Sequence, residues 1–367
     1  MGKTLFHVYA GTQGTAGLYL NEIIQAISDT KIKQKAFVSY YYPFNNAKKV
    51  FYHFTDLASG KHPLRFRPYL RYLELILGLL YVFIRALFLR PKYLNYSLNS
   101  SYLPEFFFLI ILKKCLKIKI IITCHDVIPF ENSHLDTMKE NDRRSYLLKM
   151  SDFLLVHNDN SQKDLIKYYG INPLKILYHP FPVMDLNFLG VSNNKKTVDF
   201  LFIGHLRCEK GVTVLLDSWR EFHKIYPEAT LYVVGNNPPN SGIIVDDYKD
   251  LNIKFILNYV DDITYTQYIA SAKCVVLPYL RGTNSGIPSS VYSMGTDLIV
   301  SDIPMFRNNP LINEDAFFEC GNSKSLVKSL QLHYTFYQPQ DFSHSINTYK
   351  AAFKNQVSEL YTSLFEK

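Results

Sequence analysis

The feature that most constrains this chain is an alternation of two apolar patterns. Short apolar runs recur, each followed by small or polar residues and then by a stretch whose apolar positions return every three or four residues. In the first half, residues 4–9, 35–40, 93–96, 119–123, 153–156 and 176–178 read as strands, with helical stretches such as 18–27 and 104–116 between them. Runs this uniformly apolar suit strands buried on both faces, as in a parallel sheet covered by helices. The pattern lapses over residues 180–197, where the polar run 192–196 interrupts it. It restarts with strands at 198–203, 230–234, 253–257, 274–277 and 297–300, and helices at 212–226, 264–271 and 288–294. In the first of these helices Val212, Leu215, Leu216, Trp219, Phe222 and Tyr226 line one face. A terminal helix follows at 349–365. The expectation is an α/β protein of two doubly wound domains, residues 1–190 and 191–345, with 346–367 as a terminal helix able to pack back on the first.

In open α/β sheets, ligands bind beyond the carboxyl ends of the strands. Four such places carry small or reactive residues. The first is Gly11-Thr-Gln-Gly14-Thr-Ala-Gly17, where glycines let backbone approach a ligand, though a plain tight turn has the same composition. Its spacing is not GxGxxG and no acidic residue closes the next strand, so NAD is disfavoured. The second is Cys124-His125-Asp126. The third, Gly204-His-Leu-Arg207-Cys-Glu-Lys210-Gly211, sets two cations before a helix N-terminus, which suits a diphosphate or, alternatively, a solvated loop paired through Glu209. The fourth is the stretch 278–295, PYLRGTNSGIPSSVYSMG: strand, small-residue loop, then a helix start with cap-type Thr283, Asn284 and Ser285, and Pro288 in the first turn. Two places in each half suggest a cleft between two domains.

Charge narrows the partners. Residues 1–190 hold 24 basic and 14 acidic residues, and 191–367 hold 16 and 18. A basic first half suits acidic lipid head groups or a phosphate-bearing acceptor. Nucleic acid is disfavoured because no nucleic-acid motif accompanies the charge. Five scattered cysteines without a CxxC pair, and an N-terminus without a signal-peptide pattern, indicate a cytoplasmic protein without structural zinc. Residues 64–89 form a strongly apolar helix with basic ends; its apolar core, 73–89, is 17 residues long and contains Glu74 and Arg85. That is short and charged for a span. It suits either an inner helix of the first domain or one lying on an anionic bilayer, peripheral to the inner face of the cell membrane.

Several of these residues, in order, resemble one family. Gly204…Arg207…Lys210-Gly211 resembles the Gly-x-x-Arg-x-x-Lys-Gly signature of bacterial group-1 type glycosyltransferases (glycosyltransferase family four, GT-B fold). Pro227…Leu231–Gly235, Thr283-Asn284-Ser285-Gly286, Gly295…Ser301-Asp302 and Thr123…His125-Asp126…Pro129 resemble further motifs of that family, and the segments ending in His157 and His179 its later strands. The resemblance implies a two-domain GT-B fold and retaining sugar transfer from a nucleotide-diphosphate sugar, without a metal cofactor, to a glycan or lipid-linked acceptor of surface polysaccharide. It implies that Arg207 and Lys210 neutralise the diphosphate, helped by the N–H groups of Ser285, Gly286 and Ile287 and by Asn284. It implies that Gly11 and Gly14 approach the same phosphates and that His125 contacts the donor sugar. The chain departs from the pattern at one point: Gly282 and Ser290 stand where many members place two glutamates. Ribose would then be held differently, through the Ser290 hydroxyl. The missing carboxylates also leave open a non-catalytic subunit of an assembly complex, or an epimerase on the same fold.

Overall fold

The computed structural model of the chain describes residues 4–11, 15–39, 50–54, 67–98, 102–127, 138–184, 186, 190–191, 195–237, 243–258, 260–282 and 285–366. The chain divides into two compact units, Met1–Pro182 with Ala351–Lys367, and Val183–Lys350.

The first unit runs β1 (Thr4–Val8), α1 (Thr15–Ala26), β2 (Lys33–Ser39), β3 (Val50–Phe54), α2 (Arg67–Leu89), β4 (Tyr93–Leu98), α3 (Leu103–Leu116), β5 (Lys119–Cys124), α4 (Met138–Met150), β6 (Phe153–Val156), α5 (Asp159–Tyr169) and β7 (Ile176–Tyr178). Its sheet is parallel throughout, in the order β3-β2-β1-β4-β5-β6-β7. Chain order therefore reverses between β1 and β4. Every residue of β4 is buried, as helices on both faces require. Glu105 fixes the start of α3, accepting from the Tyr102 N–H at 3.1 Å and from the Tyr96 hydroxyl at 2.5 Å.

The second unit runs β8 (Val198–Ile203), α6 (Val212–His223), β9 (Leu231–Val234), β10 (Ile253–Ile256), α7 (Asp262–Ser271), β11 (Ala272–Leu277), α8 (Ile287–Ser293), β12 (Asp297–Ser301), α9 (Pro304–Arg307), β13 (Phe317–Phe318) and α10 (Ser323–Phe336). Its parallel sheet has the order β10-β9-β8-β11-β12-β13, so chain order reverses between β8 and β11. The Trp219 indole is fully buried, donates to the Leu251 carbonyl at 2.7 Å, and meets Phe200 edge-on at 5.8 Å. Helix α6 ends at His223 rather than at 226. Both the Ile225 and Tyr226 N–H groups turn back to the Phe222 carbonyl, and Pro227 bars continuation.

The last helix, α11 (Ser343–Glu366), contributes its residues from Ala351 onward to the first unit. There Tyr361 is buried with its hydroxyl accepting from Asn95 Nδ2 at 3.2 Å, and the Tyr93 hydroxyl donates to the Leu364 carbonyl at 2.8 Å. The first boundary falls at 182/183, before the polar run that marked it in sequence, because Val183, Met184 and Leu186 are already buried. Helix α2 is 23 residues long, and its segment Tyr69–Leu89 is long and apolar enough to cross a membrane by length and composition alone. One face of it is nonetheless packed into the first unit's core through Leu79, Val82 and Ala86.

Replacing Tyr361 with alanine removes a fully buried ring from the first unit and is expected to cost about 3–5 kcal/mol. Urea denaturation followed by circular dichroism checks this; an unchanged midpoint would remove α11 from that unit's core.

Candidate functional site

The second unit's site is built by two loops meeting where chain order reverses, after β8 and after β11. Gly204 follows β8 and Gly235 follows β9, and a Cβ on Gly235 would lie 1.8 Å from the Gly204 carbonyl. Without that Cβ the two strand ends close together, and the Leu206 N–H bonds the Asn236 carbonyl at 3.0 Å. The chain then makes one 3-10 turn, Cys208–Lys210, and reaches Gly211 at φ +62°. A Cβ on Gly211 would stand 1.8 Å from the Pro278 carbonyl. The Leu280 N–H adds a 2.9 Å bond to the Glu209 carbonyl. These two contacts tie the post-β8 loop to the post-β11 loop.

The tie fixes both cations. The Lys210 ammonium lies 3.8 Å from the ring centroid of Tyr279, which is fully buried. A cation over an aromatic face gains roughly 0.5–2 kcal/mol, so the ring acts as a seat for the charge. Tyr279 is itself held, its carbonyl accepting from Ser301 Oγ at 2.5 Å and Cys320 Sγ at 3.6 Å. Its hydroxyl has no hydrogen-bond partner among the described residues and lies near Gly204. Arg207 pairs with Glu209 at 3.6 Å and stays partly open to solvent. Partial desolvation, and then the charges of Arg207 and Lys210, push the His205 imidazole below its usual pKa. The locus is therefore cationic, and the groups that make it so are positioned by backbone contacts rather than by chance.

The post-β11 loop differs from expectation. Thr283 and Asn284 lie outside the described residues. The N-cap of α8 is Gly286, with helical dihedrals and no side-chain cap, and the Ser285 hydroxyl accepts only a long 3.4 Å bond from the Ile287 N–H. Helix α8 has seven residues, so little dipole adds to its N-terminus. The cradle for an anion expected over Ser285, Gly286 and Ile287 thus has little support from the helix, and the positive charge nearby comes from Arg207 and Lys210. Ile287 does sit beside the end of β8: a Cβ on Gly204 would be 3.8 Å from its Cδ1. Ser290, expected to reach ribose, is buried, and its hydroxyl donates to the Gly286 carbonyl at 3.2 Å. At Gly282 an added Cβ would meet Met305 Sδ at 3.0 Å, so a glutamate there would have to displace that thioether.

In the first unit, Gly14 lies outside the described residues. Gly11 packs beneath the Tyr9 hydroxyl, 2.3 Å from where its Cβ would be. Gly17 is inside α1, so the glycine loop is shorter than the sequence suggests. His125 follows β5 and meets Tyr19 of α1 edge-on at 4.9 Å, with His157 and Phe181 around it. Sequence reasoning gave no role to His157 or His179, quoting them only as strand ends. His179 is buried; its Nδ1 bonds the Pro180 carbonyl at 2.8 Å, and its Nε2 accepts from the Tyr19 hydroxyl at 3.0 Å. That pairing fixes a neutral tautomer. His157 Nδ1 donates in turn to the His179 carbonyl at 3.3 Å. Burial lowers the pKa of His125 and of His179 to about 4, and burial with the neighbouring imidazoles takes His157 well below its usual value. His7, buried in β1 against Gln34, is lowered by burial to about 4 as well. Among the described residues no group of three or more His, Cys, Asp or Glu is placed to hold a metal ion.

Residues 197–332 match the family model described as "Glycosyl transferases group 1". The matched residues all lie within the second unit. A 118-residue stretch is 30% identical to the GDP-mannose:glycolipid 4-beta-D-mannosyltransferase of Xanthomonas campestris, covering 31% of this chain and 32% of that protein. The chain thus spans about a third of the length of the curated relative it matches. Among solved structures, sucrose-phosphate synthase from Thermosynechococcus elongatus aligns over 99% of both chains at 13% identity, with a TM-score of 0.68. Anabaena HepE, solved in complex with UDP, aligns over 99% of this chain and 95% of its own at 15% identity, with a TM-score of 0.59. These likenesses establish the fold: two parallel-sheet Rossmann-like units of the GT-B class.

Two outcomes follow. Gly211→Ala introduces a Cβ into the Pro278 carbonyl at positive φ, and is expected to destabilise the second unit by about 1–3 kcal/mol. A melting temperature equal to the parent's would break the proposed loop tie. His7, His157 and His179 are buried and His125 is half-buried; all four stay neutral when folded but take up protons when unfolded, below about pH 6.5. Stability from this source is therefore full above pH 6.5 and falls as the pH drops toward 4, by on the order of 1–3 kcal/mol for each of His7, His125 and His179. Urea midpoints across that range test it, and His7→Gln should flatten the slope.

Proposed function

We propose that the chain transfers a sugar from a nucleotide-diphosphate sugar to a glycan or lipid-linked acceptor, in the assembly of a surface polysaccharide. The observation that carries this reading is the pair Arg207 and Lys210, held where chain order reverses within the stretch that matches the group 1 glycosyl transferase model. As the bond between the sugar's anomeric carbon and the diphosphate oxygen breaks, negative charge gathers on the leaving group. Cations fixed in advance stabilise that charge more than they stabilise the intact donor, which is what lowers a barrier. The acceptor hydroxyl forms the new bond to the same carbon, and its proton passes to the departing diphosphate.

The first donor to try is GDP-mannose, because the curated relative's name specifies it, with a uridine-diphosphate sugar second on the strength of the UDP-bound neighbour. Two stereochemical readings each have support. The motif resemblance favours retention, whereas the relative's β-mannosyl product favours inversion if its donor is α-linked. The one-bond carbon–hydrogen coupling at the anomeric centre of the first-formed product decides between them, since the equatorial H2 of a mannosyl group leaves the proton–proton coupling small in both anomers. Gly282 and Ser290, in place of the usual glutamates, support a second reading as a non-catalytic subunit. A solved neighbour named a putative UDP-N-acetylglucosamine 2-epimerase, from Listeria monocytogenes, supports a third. The subunit would bind donor without turnover, and the epimerase would turn donor over without acceptor.

Arg207→Ala and Lys210→Ala should each weaken donor binding by roughly 1.5–3 kcal/mol, about 10- to 150-fold in Kd. Thermal shift against a panel of nucleotide-sugars finds the donor, and calorimetry measures the loss. Parent-like affinity in both variants would remove the two cations from the site.

A further inference from the structure

We propose that the outer faces of α2 and α3 form a docking surface for an anionic lipid bilayer, with α2 lying in the plane of the interface rather than crossing it. Tyr69, Leu73, Leu77, Leu80, Ile84 and Phe88 of α2 are between 43% and 83% exposed, at helical spacing along its whole length. Helix α3 packs beside α2 and adds a stripe at four-residue steps, Leu103, Phe107 and Ile111, each 42–55% exposed. Isolated exposed leucines are ordinary on a protein surface, but two adjacent helices sharing one continuous apolar face are not.

The charges on these helices select the occupant. Their acidic side chains, Glu74 and Glu105, are turned inward at 9% and 3% exposure, and Glu105 is committed to Tyr96 and Tyr102. At the margins of the face the exposed charges are cationic: Arg71 and Arg90 at the ends of α2, and Lys114 and Lys117 at the end of α3. Protein interfaces are depleted in lysine at their centres and pair their charges, whereas an apolar strip whose exposed charges, among the described residues of its two helices, are cations complements acyl chains beneath anionic head groups.

The packing sets the orientation. A 23-residue helix is about 34 Å long and could cross the hydrocarbon core. Its opposite face, however, is sealed into the sheet through Leu79, Val82 and Ala86, 0–3% exposed, with Leu75 and Phe83 against the same core. Crossing would strip those contacts from the first unit, so the helix stays with the sheet and offers lipid only its outer half.

The test uses the full-length chain with vesicles of phosphatidylcholine, with and without phosphatidylglycerol. Co-sedimentation is expected with the anionic vesicles, falling as salt is raised. The triple variant Leu73→Glu/Leu77→Glu/Leu80→Glu changes exposed positions only; it should keep the parent's melting temperature and lose at least about tenfold in vesicle partitioning, as expected for withdrawing apolar surface from the interface. Bound protein should come off in alkaline carbonate. Absence of binding to either vesicle, or parent-like binding by the triple variant, overturns the docking surface. Resistance to alkaline extraction overturns the in-plane orientation. A lipid-free dimer that Leu77→Glu dissociates would assign the face to a second copy of the chain instead.

Discussion

One missing atom organises the second unit. At Gly211 a Cβ would collide with the Pro278 carbonyl, and the residue's positive φ is one that other residues adopt only under strain. Because that atom is absent, the loop after β8 closes on the loop after β11, and the Leu280-to-Glu209 backbone bond locks the approach. The closure sets Tyr279 under Lys210 and Ile287 against the end of β8, beside Arg207, which pairs with Glu209 within its own loop. A phosphate-binding cation on a free loop would spend part of its interaction energy on ordering itself. Here the ordering is done by the fold, which is the condition for electrostatic preorganisation.

The alternation of apolar patterns made the two-sheet architecture legible, because each strand of a parallel sheet is apolar on both faces and each covering helix has its own period. Elements without that signature were not singled out. Helix α4 reads MKENDRRSYLLKM, and among its apolar residues whose burial is described Leu147 and Leu148 are the fully buried ones, so its periodicity is nearly invisible. Strand β13 has two residues and no pattern at all. The Gly-x-x-Arg-x-x-Lys-Gly spacing exposed the cationic loop, since glycine at fixed offsets from cations reports a backbone demand as well as a charge. Tyr279 gave no such signal: one aromatic among 28 tyrosines acquires meaning only when Lys210 is seen above its ring. Cap-type residues before Pro288 suggested a helix start that the structure moves to Gly286, since composition marks a cap without fixing which residue takes it.

The two units bury polar groups in different ways. The second leaves its cations partly open at strand ends. The first packs the buried His157 and His179 and the half-buried His125 with Tyr19 among aromatic rings after β5, β6 and β7, and desolvation holds each imidazole neutral. A neutral His125 in that setting donates or accepts a hydrogen bond but carries no charge toward a phosphate. Arginine and lysine therefore carry the charge at the second unit's strand ends, whereas the first unit's histidines are polar and uncharged.

The central claim is that the locus between β8 and β11 takes up a nucleoside diphosphate. Hydrogen exchange with and without GDP or UDP tests it most directly, because the amides concerned are backbone groups that no substitution needs to disturb. The account predicts added protection concentrated in residues 204–214 and 278–288. Protection confined to other strand ends, or none at saturating concentrations of both nucleotides, would contradict it.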